Sequence, residues 1–191
     1  LPLFDDAAFE PHGGRSAVSA FMLEAALATA DYYIEHTPVC GVPYWDTGAP
    51  GLAEMGDVNS RPADPFNDHE PVDSSAAAIT AQGLLRLGSL PTDVIPQADA
   101  DRYFRAGLAV TRTLLDEPYL STDADHQGLL LHTIYHRPNG WDHTPEGRSV
   151  PCGESCMWGD YHLRELALYV QRLGEGQTPP AFFHAATGGT P

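Results

Sequence analysis

Apolar residues recur at helical spacing in four stretches of this chain. From about Ala17 to His36, Phe21, Ala25, Ala28 and Tyr32 share one face. Ser16 stands at the expected N-cap, and Pro38 and Gly41 end the run. A second helix is predicted from Asp73-Ser74-Ser75 to about Leu87, with Ala76, Ile79, Thr80, Gly83 and Leu87 on one face. Small residues along that face suggest close approach by neighbouring helices, and Asp73 reads as the cap. The third helix is predicted over Asp99–Asp116, with Tyr103, Gly107, Val110 and Leu114 as its stripe and Asp101, Arg102, Arg105 and Arg112 on its wet side. The fourth starts near Gly153–Ser155 and runs to about Leu173, with Gly159, Leu163, Leu166, Val170 and Leu173 inward.

Between these helices lie two long loops. Residues 37–72 have no helical or strand period but carry Tyr44, Trp45 and Phe66, which predicts an ordered loop that wraps over something. Residues 119–152 include Leu129-Leu130-Leu131, an apolar run open to either helix or strand, followed by His132, Tyr135, His136 and Arg137 and then the turn signal Pro138-Asn139-Gly140. Alternating helices with the complex loops at one end predict an all-α array of helical hairpins. The expected organisation is an irregular segment over 1–16, a helical body over 17–173 and a mobile Gly/Pro-rich tail over 174–191.

Composition narrows the function. The hydrophobic fraction of 42% suffices for a packed core, so wholesale disorder is not expected. The formal net charge is -16, and every basic residue is Arg. So acidic a surface repels phosphate backbones, which argues against nucleic acid as a partner. No apolar run approaches the ~20 residues of a membrane span. No signal-peptide pattern opens the chain, and a cytoplasmic setting is the default expectation. Cys40, Cys152 and Cys156 are odd in number and read as reduced structural thiols.

Four chemistries bear on these residues. His132 and His136 are four apart, but the HExxH pattern is absent and no further ligand stands at a convincing distance, so no metal is expected. No GxSxG occurs, and Cys156 near a helix start reads as packing rather than as a nucleophile. Glu154, Asp160, Asp73 and Asp46 could do acid–base work in pairs, but acidic residues are too abundant here for that to be specific. Carbohydrate binding fits best: Tyr44, Trp45, Tyr135, His136, Arg137, Trp141 and Trp158 cluster in or near loops that share one end of the array, and Arg137 is suited to a ligand carboxylate.

Four segments then carry a resemblance. Pro43-Tyr44-Trp45-Asp46, Asp73-Ser74-Ser75-Ala76-Ala77-Ala78-Ile79, His132 to Tyr135, and Gly153-Glu154-Ser155 through Trp158-Gly159-Asp160-Tyr161 resemble, in order and spacing, the C-terminal part of unsaturated glucuronyl hydrolases, glycoside hydrolase family 88. The likeness runs from about Phe21 to Leu173. It implies part of an (α/α)6 barrel and removal of a Δ4,5-unsaturated uronic acid from lyase-generated oligosaccharides by hydration of a vinyl ether, without metal or organic cofactor. It also implies that the two important Asp residues of the family lie in the N-terminal half, so that no catalytic residue can be carried onto this sequence. The chain is then expected to be an inactive fragment whose partner is a missing N-terminal half, with apolar flanks exposed where the barrel is incomplete. The expected substrate-binding residues are Tyr135, foremost, with His136, Arg137, Trp45 and Trp158. Where some bacterial members carry a Ser-containing, Lys-ended motif associated with sulfated substrates, this chain reads His136-Arg137-Pro138-Asn139-Gly140-Trp141. Two other readings are an unsaturated rhamnogalacturonyl hydrolase-like enzyme and a non-catalytic helical binding module.

Overall fold

The computed structural model describes residues 4–179. Four α-helices carry the architecture: α1 (Gly14–His36), α2 (Ser74–Leu87), α3 (Gln97–Leu114) and α4 (Met157–Gly174). Short 3-10 turns lie at Asp6–Ala8, Glu10–His12, Pro50–Glu54 and Arg137–Asn139. Among the described residues there is no extended sheet, only isolated antiparallel bridges at Tyr44 with Val72 and Leu120 with Leu130. The expectation of an all-α chain of helices and long loops holds. The expected mobile tail, 174–191, falls mostly outside the described residues.

Helix α2 is the hub. Its neighbours α3 and α4 approach it closely because small residues stand at the crossings. A Cβ added at Gly107 of α3 would lie 2.9 Å from the Leu85 side chain. One added at Gly159 of α4 would lie 2.9 Å from Thr133 and 3.3 Å from Ser75. The contacts Ser75 with Trp158, Gln82 with His162 and Arg86 with Glu165 show that α2 and α4 run parallel. Helix α3 runs back along α2, with Gly88 against Phe104 and Gly107 against Leu85. The core between these three helices joins Ala77, Ala78, Ala81, Leu85, Val110, Leu114, Leu163, Leu166 and Tyr169, and the long loops add Val42, Tyr44, Val72, Tyr119 and Leu130. A second cluster, Ala30, Leu84, Ile95, Ala100 and Tyr103, ties α1 to α2 and α3. Asp31 adds a polar clasp by accepting from the Arg102 guanidinium and from the Tyr103 hydroxyl.

Several local expectations are corrected. Residues 4–12 form two 3-10 turns, and α1 begins at Gly14 behind Gly13 (φ 85°), without a side-chain cap from Ser16. The expected buried stripe of α1 faces outward: Phe21 is 70% exposed and Tyr32 51%. The face that packs instead carries Leu23, Leu27, Ala30 and Ile34. In α2 the covered face holds Ala77, Ala78, Ala81, Leu84 and Leu85, while Ile79 is 45% exposed. Both misses share one cause. A helix that is apolar nearly all round has more than one face able to be buried, and periodicity does not say which one finds a neighbour. Helices α3 and α4 bury the stripes expected of them, each having one apolar side.

The loop over 37–72 is ordered, as expected. The bridge between Tyr44 and Val72 closes its ends, and Glu70, buried, accepts from the Trp45 indole N–H at 2.7 Å and from the Gly51 amide at 2.8 Å.

Candidate functional site

The segment 129–136 is neither helix nor regular strand. It crosses the N-terminal ends of α2 and α4, turning at His132, and both helices are built to hold it. Asp73 caps α2: its Oδ1 accepts from the Ser75 and Ala76 amides, and also from the Ile134 amide at 3.4 Å. Ser74 donates its hydroxyl to the Leu131 carbonyl at 2.6 Å and its amide to the His132 carbonyl at 3.1 Å. From α4, Asp160 accepts the amides of Leu129 and Leu130 at 2.9 Å each. The Glu154 carbonyl takes the Thr133 amide and hydroxyl. Because residues 153–154 are paired to this segment, α4 starts later than its sequence suggests. Cys156 is the N-cap, with Sγ accepting from the Gly159 amide. Burial pushes the Cys156 thiol up, which fits a structural thiol rather than an activated one. Burial likewise raises the Asp73 carboxyl, against the pull of the hydrogen bonds it accepts.

His132 holds the segment from the other side. It is buried in a left-handed conformation (φ 63°), with its ring edge-on to Phe66 and Tyr119. Its Nδ1 accepts from the Gly153 amide at 3.0 Å. Burial pushes its pKa down to about 4, so the ring is neutral at pH 7. His132 and His136 do not share a helix face, because no helix forms here.

Beyond Ile134 the chain emerges as an aromatic wall. Tyr135 is 54% exposed, with its ring 5.2 Å from Trp158 and 5.8 Å from Trp141. Trp141 in turn meets His136 at 5.0 Å. Two devices fix the wall. Asp142 closes the 135–142 loop by accepting the Tyr135 and His136 amides. Trp158 donates its indole N–H to Ser75 Oγ at 3.2 Å, and the Ser75 hydroxyl donates to Asp73 Oδ1 at 2.6 Å. The wall borders a cavity of about 310 Å³ whose other lining includes Asp142, His143, Glu154, Ser155 and Met157. An aromatic face beside convergent polar groups suits a ligand with one flat apolar side and several hydroxyls.

Of the residues expected to bind substrate, the structure brings Tyr135 and Trp158 together on the cavity. His136 stands one layer behind, against Trp141, and its Nδ1 accepts from the Asn139 amide. Arg137 opens the 3-10 turn that follows. Trp45 lies elsewhere: its indole N–H is held by Glu70, and it does not line this cavity. Asp142 was not singled out from the sequence. The signal that would have found it is an Asp just after a Pro-Asn-Gly turn, well placed to cap the amides that the turn folds back. Of the carboxylates considered for acid–base work, Asp160 and Asp73 are committed to backbone amides, and Asp46 accepts the Gly48 amide in its own turn.

No family model matches the chain. It is 27% identical over 154 residues to the unsaturated glucuronyl hydrolase of Bacillus sp. (strain GL1), covering 81% of this chain and 34% of that protein. The crystal structure of the Bacillus sp. GL1 enzyme, described as responsible for the degradation of glycosaminoglycan, matches with a TM-score of 0.58 at 29% identity, over 82% of this chain and 34% of that one. A mutant unsaturated glucuronyl hydrolase from Streptococcus agalactiae matches in fold, with a TM-score of 0.51 at 24% identity, over 83% and 34%. These neighbours have an α/α barrel fold, which accords with the hairpins seen here. The chain is thus similar to unsaturated glucuronyl hydrolases over most of its own length and spans about a third of theirs.

Proposed function

We propose that this chain forms the sugar-holding wall of a glycoside hydrolase that removes a Δ4,5-unsaturated uronic acid from the end of lyase-generated oligosaccharides. The observation that carries the reading is the Tyr135–Trp158 pair, fixed from behind by Ser75 and Asp73 and set at the mouth of a cavity with polar lining. An unsaturated uronide ring is flattened by its double bond and packs well on such a plate. His136 and Arg137 follow Tyr135 in the chain, outside the cavity lining, and Arg137 is suited by its chemistry to a ligand carboxylate. In the complete reaction a general acid protonates the double bond, activated water adds to the cation, and the hemiketal opens to release the remaining sugar. Those proton transfers belong to groups outside the stretch matched here, so the 191-residue chain binds without turnover.

The test is titration of the chain with an unsaturated disaccharide from a polysaccharide lyase, followed by tryptophan fluorescence. Tyr135→Ala is expected to weaken binding by about tenfold or more, the effect of losing one anchoring ring, while Trp45→Phe leaves it unchanged. Unchanged affinity in Tyr135→Ala would overturn the site. Loss of the double-bond absorbance on incubation with the unmodified chain would overturn the claim that it lacks the proton chemistry.

A further inference from the structure

Past His136 the chain runs out into solvent and returns. Trp141, His143, Thr144, Glu146 and Gly147 are exposed, and burial resumes at Val150. This rim carries Trp141, Asp142 and His143, which line the cavity. An exposed polar stretch has little apolar packing to hold it, so its position depends on individual hydrogen bonds. At its near end those are the Tyr135 and His136 amides held by Asp142. Its far end is fastened to the other long loop. The Arg148 guanidinium donates through Nη2 to the carbonyls of Phe66 and Asn67 and lies over the Phe66 ring. The Ser149 hydroxyl donates to the Asp68 carbonyl at 3.1 Å. Two consecutive residues thus take three consecutive carbonyls.

That row of acceptors is made in advance. Asp64 accepts the Phe66 amide, and Asn67 accepts the amides of His69 and Glu70 while donating to the carbonyls of Asp64 and Glu70. The carbonyls of Phe66, Asn67 and Asp68 have no backbone donor among the described residues. Glu70 ties the same turn to Trp45 and Gly51, and the Phe66 ring stands edge-on to His132 at 4.9 Å. The turn is therefore a fixed platform, and the rim is what it steadies. Arg148 is used there without a counter-charge. The chain holds 26 acidic residues, yet no carboxylate among the described residues pairs with Arg148, and its Nε–H is buried without a partner. Its contribution is reach and donors rather than charge neutralisation.

We propose that Arg148 is a positioning residue for the cavity: it locks the rim that carries Trp141, Asp142 and His143 onto the turn at 64–70, so that the cavity is formed before a ligand arrives. It acts on a ligand only through the rim, and its gain is that less of the site has to be ordered on binding. The lock is a property of this chain alone, whereas its effect on sugar affinity rests on the sugar-holding reading above.

The test is hydrogen–deuterium exchange of the 191-residue chain and its variants, read by peptide mass, beside titration with the unsaturated disaccharide. In Arg148→Met, which keeps an apolar stem and removes the donors, the amides of Tyr135, His136 and Trp141 are expected to exchange about tenfold faster, the scale of a lost hydrogen bond to a charged group, while peptides of α2 and α4 are unchanged. Affinity for the disaccharide is expected to fall by a similar factor. Arg148→Lys keeps most of the protection and the affinity, because one ammonium can serve both carbonyls, as Nη2 does now. Arg112→Met, on the exposed side of α3, controls for the lost charge and changes neither. Unchanged exchange at the rim in Arg148→Met would overturn the proposal. So would faster exchange spread equally over α2 and α4, which would make Arg148 a prop of the whole fold. If the Met variant loosens the rim yet binds the disaccharide as tightly as the unmodified chain, the positioning role is lost and the sugar reading stands. If the unmodified chain binds no disaccharide, the sugar reading is lost, and the exchange comparison still decides the lock.

Discussion

The two sides of α2 are made of similar residues and end differently. Toward α3 and α4, its alanines and leucines are sealed, the glycines of the facing helices are filled by neighbours, and Asp73, Ser74 and Ser75 all pair with the crossing segment or with Trp158. Toward α1, Ile79, Thr80 and Gly83 line open space. Small residues on a helix therefore permit close approach by a neighbour without requiring one, and the structure reveals which side has one. The first side is a finished joint that carries the candidate site. The second stays open among the described residues.

The sharpest way to break this contrast is to empty the finished joint. Leu166, fully buried between α2 and α4, should cost roughly 3–4 kcal/mol when changed to Ala, measured by urea denaturation. A loss under about 1 kcal/mol, the range of ordinary partly exposed sites, would show the joint to be loosely packed. Acidification probes the same region next. The unfolded chain protonates His132 near its ordinary pKa of 6.5, whereas the folded chain does so only near 4. Between those values the unfolded state binds more protons, so the stabilisation from neutral His132 is present above about pH 6.5 and is lost as pH falls toward 4. The loss amounts to at most about 3 kcal/mol. His132→Asn, which tolerates the left-handed backbone, should flatten this dependence in stability measured from pH 7 to 4.5; parallel curves would show that His132 is not the titrating group.

On the open side the effects shrink and one changes sign. Gly83→Ala should stabilise the isolated chain by about 0.5–1 kcal/mol in thermal melts, because helix propensity improves and nothing is displaced. Destabilisation would mean that the groove is closed in solution. Phe21→Ala should change stability by no more than about 0.5 kcal/mol while reducing binding of a hydrophobic dye. A larger loss would place Phe21 against a neighbour within the chain.

The hairpin architecture was legible because α3 and α4 have one apolar side each, and the loop over 37–72 could be read as ordered from its aromatics. Asp73 was legible as a cap for the same local reason. The faces of α1 and α2 were not legible, because both helices are apolar on several sides and burial there depends on what else is present. The start of α4 was misplaced because the groups that would have capped it, around Gly153 and Glu154, pair with residues some twenty positions earlier. Tyr135 and Trp158 stood out as aromatics near loops, but their meeting depends on Asp142 and on the Ser75–Asp73 link, which join distant positions and leave no periodic trace.

Trp158 has one hydrogen-bond donor, and the fold has already used it on Ser75. The ring therefore meets a visitor as a plate with no polar handle, and it responds to the shape and C–H surface of what lands on it rather than to its hydroxyl pattern. Because the plate is anchored through Ser75 to the residue that caps α2, its orientation is set before anything binds, and little ordering of this ring remains to oppose association. On the proposed reading, discrimination among ligands that share a flat face falls to the polar lining at His143 and Glu154, where side-chain changes would alter selectivity while leaving the platform intact.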